Sequence, residues 1–326
     1  MNPNHLAKLE SDFHFGKIVS IVEITEGVLN KNYILETDIG KFFIKRIREK
    51  AVGILPATVL VEELMRERGI PAICMLSSKT GEKFVVYDGT AYSVYSFIES
   101  DRSHKYSFED YRRMGVLLGE IHKAGSYEIP ELLARHKFII KPKNEVIKEL
   151  EEHKTHIQTL PILENIDKEF LDYIDLKLSL ISSVDLGNHL ANETLTHGDY
   201  HAGNLLIEAR SRKIIGVCDW EKARMAPRAY ELARSLLYIS FAEEYTESTG
   251  LESASEVITG YMSVYPITKD EMREGLRARL HHTVCSAWLE RQHYELKDSR
   301  ADYLVAHEAR LIRDFVQGDF ASKLVS

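Results

Sequence analysis

The chain has few cysteines, no long apolar run and no excess of positive charge. Its three cysteines, Cys74, Cys218 and Cys285, are scattered and form no C-x-x-C pair. That argues against a disulfide framework and makes a reduced, cytoplasmic setting the expectation. No apolar stretch approaches the ~20 residues that a membrane-spanning helix needs, so no membrane role is expected. Met1 to Glu10 lacks an apolar core, so no signal peptide is expected. The net charge of −8 disfavours a general nucleic-acid binder or a protein of anionic membrane surfaces. An anionic ligand would then need a local pocket rather than a global positive field. There is no internal repeat and no low-complexity segment.

What is present is an ordinary globular composition over 326 residues, enough for two domains or lobes. The first ~95 residues are rich in β-branched and aromatic residues and read mostly as strands. Val28 to Thr37 and Lys41 to Ile47 form a hairpin turning at Asp38-Ile39-Gly40, and Lys83 to Tyr87 and Ala91 to Ile98 are two further strands. Pro56 to Arg68 reads as a helix stopped by Gly69. From Ser107 the apolar period becomes helical, through Tyr111, Met114, Leu117, Leu118 and Ile121. Ala191 to Trp220 is a strand-rich island, and helices resume from Arg228. The expected architecture is α+β and bilobal: a β-rich lobe over 1–96, a mainly helical lobe over 97–326, and a ligand cleft between them.

The island carries the chemistry. His197-Gly198-Asp199-Tyr200-His201-Ala202-Gly203-Asn204 is followed by Asp219-Trp220-Glu221. An Asp and an Asn separated by four residues most often mark a turn. Here, though, Asn204 opens one short apolar strand and Asp219 ends the next. If the two strands pair, neighbours ~5 Å apart bring two hard oxygen ligands to one spot. Mg²⁺ favours such a set, with phosphate oxygens and water completing its octahedron. Asp199, in the loop before the first strand, is the candidate to accept a proton from an attacking hydroxyl. His197 reads as a loop-stabilising residue, and Glu221 as added charge near the metal.

Three segments together, Leu195–Ile207, Gly216–Arg224 and Ala226–Ala233, closely resemble the aminoglycoside phosphotransferase/choline kinase family. That family also includes type II homoserine kinases and methylthioribose kinases. The resemblance spans about Ile18 to Phe315 and implies a protein-kinase-like fold, ATP and Mg²⁺ as cofactors, Asp199 as base, and Asn204 and Asp219 as metal ligands. Glu231 stands where the family usually carries an Asp that braces the catalytic loop. The family's Gly-x-x-Asn-x-x-Tyr loop matches Gly27, Asn30 and Tyr33, with Asn32 inside it. Strand alternation sets Lys45 on one face with Phe43 and Ile47. A Lys between apolar neighbours calls for an anionic partner, and α/β-phosphates would supply one. Lys41 and Arg46 fit a solvent-facing role. A kinase Lys normally pairs with a helix Glu; Glu62 is chosen over Glu63 and Glu67. Tyr95 to Glu99 reads as an inter-lobe hinge whose backbone, at Ser96 and Ile98, would face adenine.

The expected partner is a small molecule with a hydroxyl group: homoserine-, choline- or aminoglycoside-like. Arg224 and Arg228, and the segment with Trp288, Glu290, Arg291 and Tyr294, are candidates for the acceptor side. Structural ion pairs of Arg224 or Arg228 with Glu231 or Glu221, and core roles for Trp288 and Tyr294, fit as well. A protein kinase is the alternative, weakened by Asp-Trp-Glu in place of Asp-Phe-Gly and by a 219–227 connection too short for an activation loop. A catalytically inactive nucleotide-binding scaffold is a third reading, weakened by the retention of Asp199. Oligomeric state is not legible.

Overall fold

A computed structural model describes the chain apart from residues 25–29, 48, 102–104, 185–191, 241–246, 318–322 and 325–326. In chain order its elements are α1 (Pro3–Asp12), β1 (Ile18–Ile24), β2 (Lys31–Thr37), β3 (Gly40–Ile47), α2 (Leu55–Glu67), β4 (Phe84–Tyr87), β5 (Thr90–Ser96), α3 (Phe108–Ala124), α4 (Glu131–Ala134), α5 (Lys143–Gln158), α6 (Asn165–Leu180), β6 (Glu193–Thr196), β7 (Leu205–Ile207), β8 (Ile214–Val217), β9 (Arg224–Pro227), α7 (Arg228–Ser240), α8 (Glu247–Val264), α9 (Lys269–Val284), α10 (Trp288–Glu290) and α11 (Tyr303–Gln317). They form two compact units. The first holds Met1–Lys105, Pro130–Leu133 and Ala202–Ala223; the second holds the rest.

The first unit is built on an antiparallel sheet of order β1-β2-β3-β5-β4. Period-two alternation gives it two apolar faces. Tyr33, Leu35, Phe42, Ile44 and Val94 pack with Leu9, Phe13 and Phe15 from α1 and the segment after it. Phe43, Ile47, Ala91 and Tyr95 pack with Leu55, at the start of α2, and with Met75. Helix α2 ends at Glu67 and is followed by Gly69, whose φ of 84° suits glycine in a left-handed C-terminal stop. The β7–β8 hairpin pairs Leu205 with Val217. The two-lobe reading grouped this hairpin with the helices. In the structure it packs in the first unit instead: Val217 N–H donates to the Pro71 carbonyl at 2.8 Å, and Ile73 N–H donates to that of Val217 at 3.0 Å.

The second unit is helical apart from the β6–β9 pair, which aligns Thr196 with Arg224. Helix α3 starts on a capping box: Ser107 Oγ accepts from Asp110 N–H, while the Asp110 carboxylate accepts from Ser107 N–H. Helices α3 and α8 cross at glycines. A Cβ on Gly115 would lie 2.0 Å from the Val257 carbonyl oxygen, and one on Gly260 2.0 Å from that of Arg112. Only a residue without a side chain permits that approach.

Candidate active site

In the first unit, Lys45 is 8 % exposed and projects from β3. Its Nζ donates to Asp219 Oδ1 at 2.8 Å and to Glu221 Oε1 at 2.7 Å. Burial alone would lower its pKa; the two carboxylates override that and hold the ammonium above its ordinary value. The Asn30 side-chain amide donates to both Glu221 oxygens, at 3.1 and 2.8 Å. Asn32 sits directly across β2–β3 from Lys45. Its Oδ1 is buried and finds no donor among the described residues. Gly27 lies outside the described residues.

The hairpin register explains why Asn204 and Asp219 come together. Leu205 faces Val217, and one step beyond, Cys218 N–H donates to the Asn204 carbonyl at 3.0 Å. Asp219 follows at once in the left-handed region, φ 68° and ψ 55°. Asp tolerates that conformation better than most residues, and such geometry concentrates at functional sites. An amide oxygen and a carboxylate are both hard donors, the ligand chemistry that a hard divalent cation takes. Ser96 is the last residue of β5, and Phe97 N–H donates to the Lys41 carbonyl at 3.2 Å, extending the pairing towards Ile98.

Glu62 does not take the role given to it. Its carboxylate accepts from Met75 N–H at 3.0 Å and from the Tyr95 hydroxyl at 3.1 Å. Lys45, whose two ion pairs go to Asp219 and Glu221, reaches Glu62 only through its field. Burial pushes the Glu62 carboxyl up to about 8, against the lowering pull of those hydrogen bonds and of Lys45. Sequence proximity favoured a Glu on the next helix; the partner chosen lies 174 positions away.

In the second unit, β6 runs into the loop that carries Asp199. Gly198 takes φ 81°. Glu231, on α7, braces the loop. Its Oε2 accepts from His197 N–H at 2.8 Å, its Oε1 accepts from Gly198 N–H, and His122 Nε2 lies 3.0 Å from Oε2. Burial alone would raise the Glu231 carboxyl, but His122 and His197 hold it below its usual value. The longer side chain thus does the bracing expected of an Asp. Asp199 N–H donates to His197 Nδ1 at 3.2 Å, which bears out His197 as a loop residue. Tyr200 anchors the far side, its hydroxyl donating to the Met114 carbonyl at 2.9 Å and its carbonyl accepting from Ser235 Oγ at 2.8 Å.

The Asp199 carboxylate, 9 % exposed, takes a hydrogen bond from Arg234 Nη2. Sequence reasoning missed Arg234. The available signal was its place three residues after Glu231, on the same side of α7. Of the acceptor candidates, Arg228 pairs with Glu271 at 2.6 and 2.8 Å, not with Glu231 or Glu221. Glu290 is spent on buried Lys177, Arg291 on Glu149, and the buried Tyr294 donates to Asp167. Trp288 is half-buried. Arg224 lies over the Phe138 ring at 4.8 Å.

A model of the phosphotransferase enzyme family matches residues 20–267, and the chain belongs to that family. Its fold is protein-kinase-like, a mixed α+β arrangement with an antiparallel sheet followed by helices. The spectinomycin phosphotransferase APH(9)-Ia, in complex with ADP and spectinomycin, superposes with a TM-score of 0.67 at 15% identity over 98% of this chain and 96% of that one. The amicoumacin kinase hAmiN, with AMP-PNP, Ca²⁺ and Ami, gives 0.69 at 13% identity over 99% and 97%. In sequence, the homoserine kinase of Zymomonas mobilis subsp. mobilis is 25% identical over 264 residues, 78% of this chain and 75% of that protein. The homoserine kinase of Phenylobacterium zucineum is 24% identical over 301 residues, 89% and 84%. The chain is therefore a phosphotransferase with an alcohol group as acceptor. Among the described residues no helix is long and apolar enough to cross a membrane.

Proposed function

We propose that the chain is an ATP- and Mg²⁺-dependent kinase that phosphorylates a hydroxyl of a small molecule. The observation that carries this is the Lys45–Asp219–Glu221–Asn30 cluster, with Asn204 set beside Asp219 by the hairpin register. A buried lysine held between carboxylates, beside hard oxygen donors, has the chemistry that a cation and a polyphosphate would engage.

In this reading Asn204 and Asp219 hold the metal, which would neutralise charge on the nucleotide's phosphates. Lys45 turns to the α/β-phosphates, and Glu221 and Asn30 keep it oriented. Gly27, Asn30 and Asn32 belong to the phosphate loop, and the backbone at Ser96 and Ile98 faces adenine. Glu62 fixes the start of the Met75 segment rather than the lysine. Asp199 accepts the acceptor's hydroxyl proton as the oxygen bonds to the γ-phosphorus and the bond from phosphorus to the β–γ bridging oxygen breaks, releasing ADP. The ligands named for the two structural neighbours, ADP with spectinomycin and AMP-PNP with Ca²⁺, support a nucleotide, a divalent ion and a small acceptor.

A protein acceptor is disfavoured. After Asp219 the chain makes one short turn at Trp220–Lys222 and enters β9 at Arg224, leaving no length for an activation loop. The test is a screen for ADP release with homoserine, choline, aminoglycosides and a general protein substrate. Mg²⁺-dependent release with a small hydroxyl compound is expected. Release only with the protein, or none with any acceptor, would contradict the reading.

A further inference from the structure

Near Asp199, two arginines keep buried N–H groups that find no acceptor among the described residues. Arg234 spends Nη2 on Asp199 and, at 3.3 Å, on the Tyr238 hydroxyl. Its side chain is only 10 % exposed. Nη1 is buried and finds no acceptor among the described residues. Arg224 is the second case. The β6–β9 register sets it opposite Thr196, three residues before Asp199. Its Nε is likewise buried and unpartnered among the described residues, with only the Phe138 ring against the guanidinium. Burial lowers its pKa and Arg234 adds to that, against the raising pull of Tyr230, Glu231 and Asp199. Glu231 acts on Arg224 through its field, while its oxygens accept from the His197 and Gly198 N–H groups and lie against His122. Asp199 is thus bonded by Arg234, while Arg224 feels Glu231 and Asp199 through their fields. Leaving buried guanidinium donors unpaired is costly unless a ligand completes the set.

We infer that Arg224 and Arg234 form a receptor for a carboxylate carried by the acceptor, which selects hydroxy acids, including hydroxy amino acids, over amino sugars and quaternary ammonium alcohols. This rests on the kinase reading above and names its substrate class. A guanidinium presents paired N–H groups that match a carboxylate, whereas an amine or a quaternary ammonium would be repelled. The same Arg234 touches the base, so a bound carboxylate would sit close to the proton acceptor and place a hydroxyl within its reach.

The test uses the full chain with Mg·ATP and L-homoserine, 4-hydroxybutyrate and D-glycerate, each beside its uncharged carboxamide, with choline and kanamycin as carboxylate-free acceptors. Turnover and calorimetric binding are both measured. At least one acid should exceed its amide by about 100-fold in kcat/KM and in affinity. Arg224→Lys and Arg234→Lys should each cut that acid-to-amide ratio about tenfold. A fold defect would lower acid and amide together and leave the ratio unchanged, and that result would overturn the inference. So would a rise in KM for ATP with an unaltered ratio, which would assign the arginines to the nucleotide. Turnover of choline or kanamycin with no preference for any acid would overturn it while leaving the kinase reading intact. Acid-selective binding without turnover would uphold the receptor and contradict the kinase.

Discussion

At the scale of single residues, the site depends on how each buried charge is answered. Lys45, Asp219, Glu221 and Asn30 answer one another, but Glu62 does not join them. Burial disfavours the ionised form and pushes its carboxyl up to about 8 from the ordinary 4.5. The sign follows. Below pH 4.5 both folded and unfolded states hold the proton. Between 4.5 and 8 the unfolded chain releases it while the folded one keeps it, so stability falls as pH rises, by roughly 1.4 kcal/mol per unit where the difference is a whole proton. Above 8 the penalty is constant. Glu62→Gln, which cannot ionise, should flatten that decline; melting curves from pH 5 to 9 would show it, and an unchanged slope would assign the decline to another group. Asp219→Ala removes the proposed metal ligand and should lose most Mg²⁺-dependent nucleotide affinity. Equal binding of Mg·ATP by calorimetry would remove Asp219 from the metal site.

At the scale of elements, backbone approach governs the helices. Gly115 and Gly260 let α3 and α8 touch main chain to main chain. Gly115→Ala forces a methyl against the Val257 carbonyl and should cost about 1–3 kcal/mol, read as a lowered denaturation midpoint. A neutral result would mean that the helices part without penalty. Elements with a strong local pattern were legible in the sequence: the β2–β3 hairpin, α2 with its Gly69 stop, α3, and the β7–β8 pair that sets Asn204 beside Asp219. Those held by tertiary pairing were not. Strand β1 is an exposed-edge element with no buried run, and Val19 and Val22 face solvent. Strand β9 spans Arg224–Pro227 and acquires its form from β6, some thirty residues earlier in the chain. Helix α1 is a short element whose Leu9 is seated by the sheet face rather than by a repeat of its own. Charge pairing was least legible, because neither the Lys45 partners nor the Arg228–Glu271 pair leaves a local trace in the sequence.

At the scale of the whole molecule, the chain threads between its two units. The first unit takes its sheet from residues before 106 and its β7–β8 hairpin from Ala202–Ala223. A composition-based boundary near residue 96 is contiguous by construction and cannot express that return. The threading also divides the proposed work: Lys45, Asn204, Asp219 and Glu221 belong to one unit, and Asp199 with Arg234 and Glu231 to the other. Removing the base should therefore leave the nucleotide set intact. The most direct test measures, in one preparation of Asp199→Asn, both phosphorylated acceptor formed at saturating Mg·ATP and Mg·ATP affinity. Turnover should fall by about 10²–10⁴-fold with affinity close to that of the parent. Parent-like turnover in the variant would contradict Asp199 as the proton acceptor.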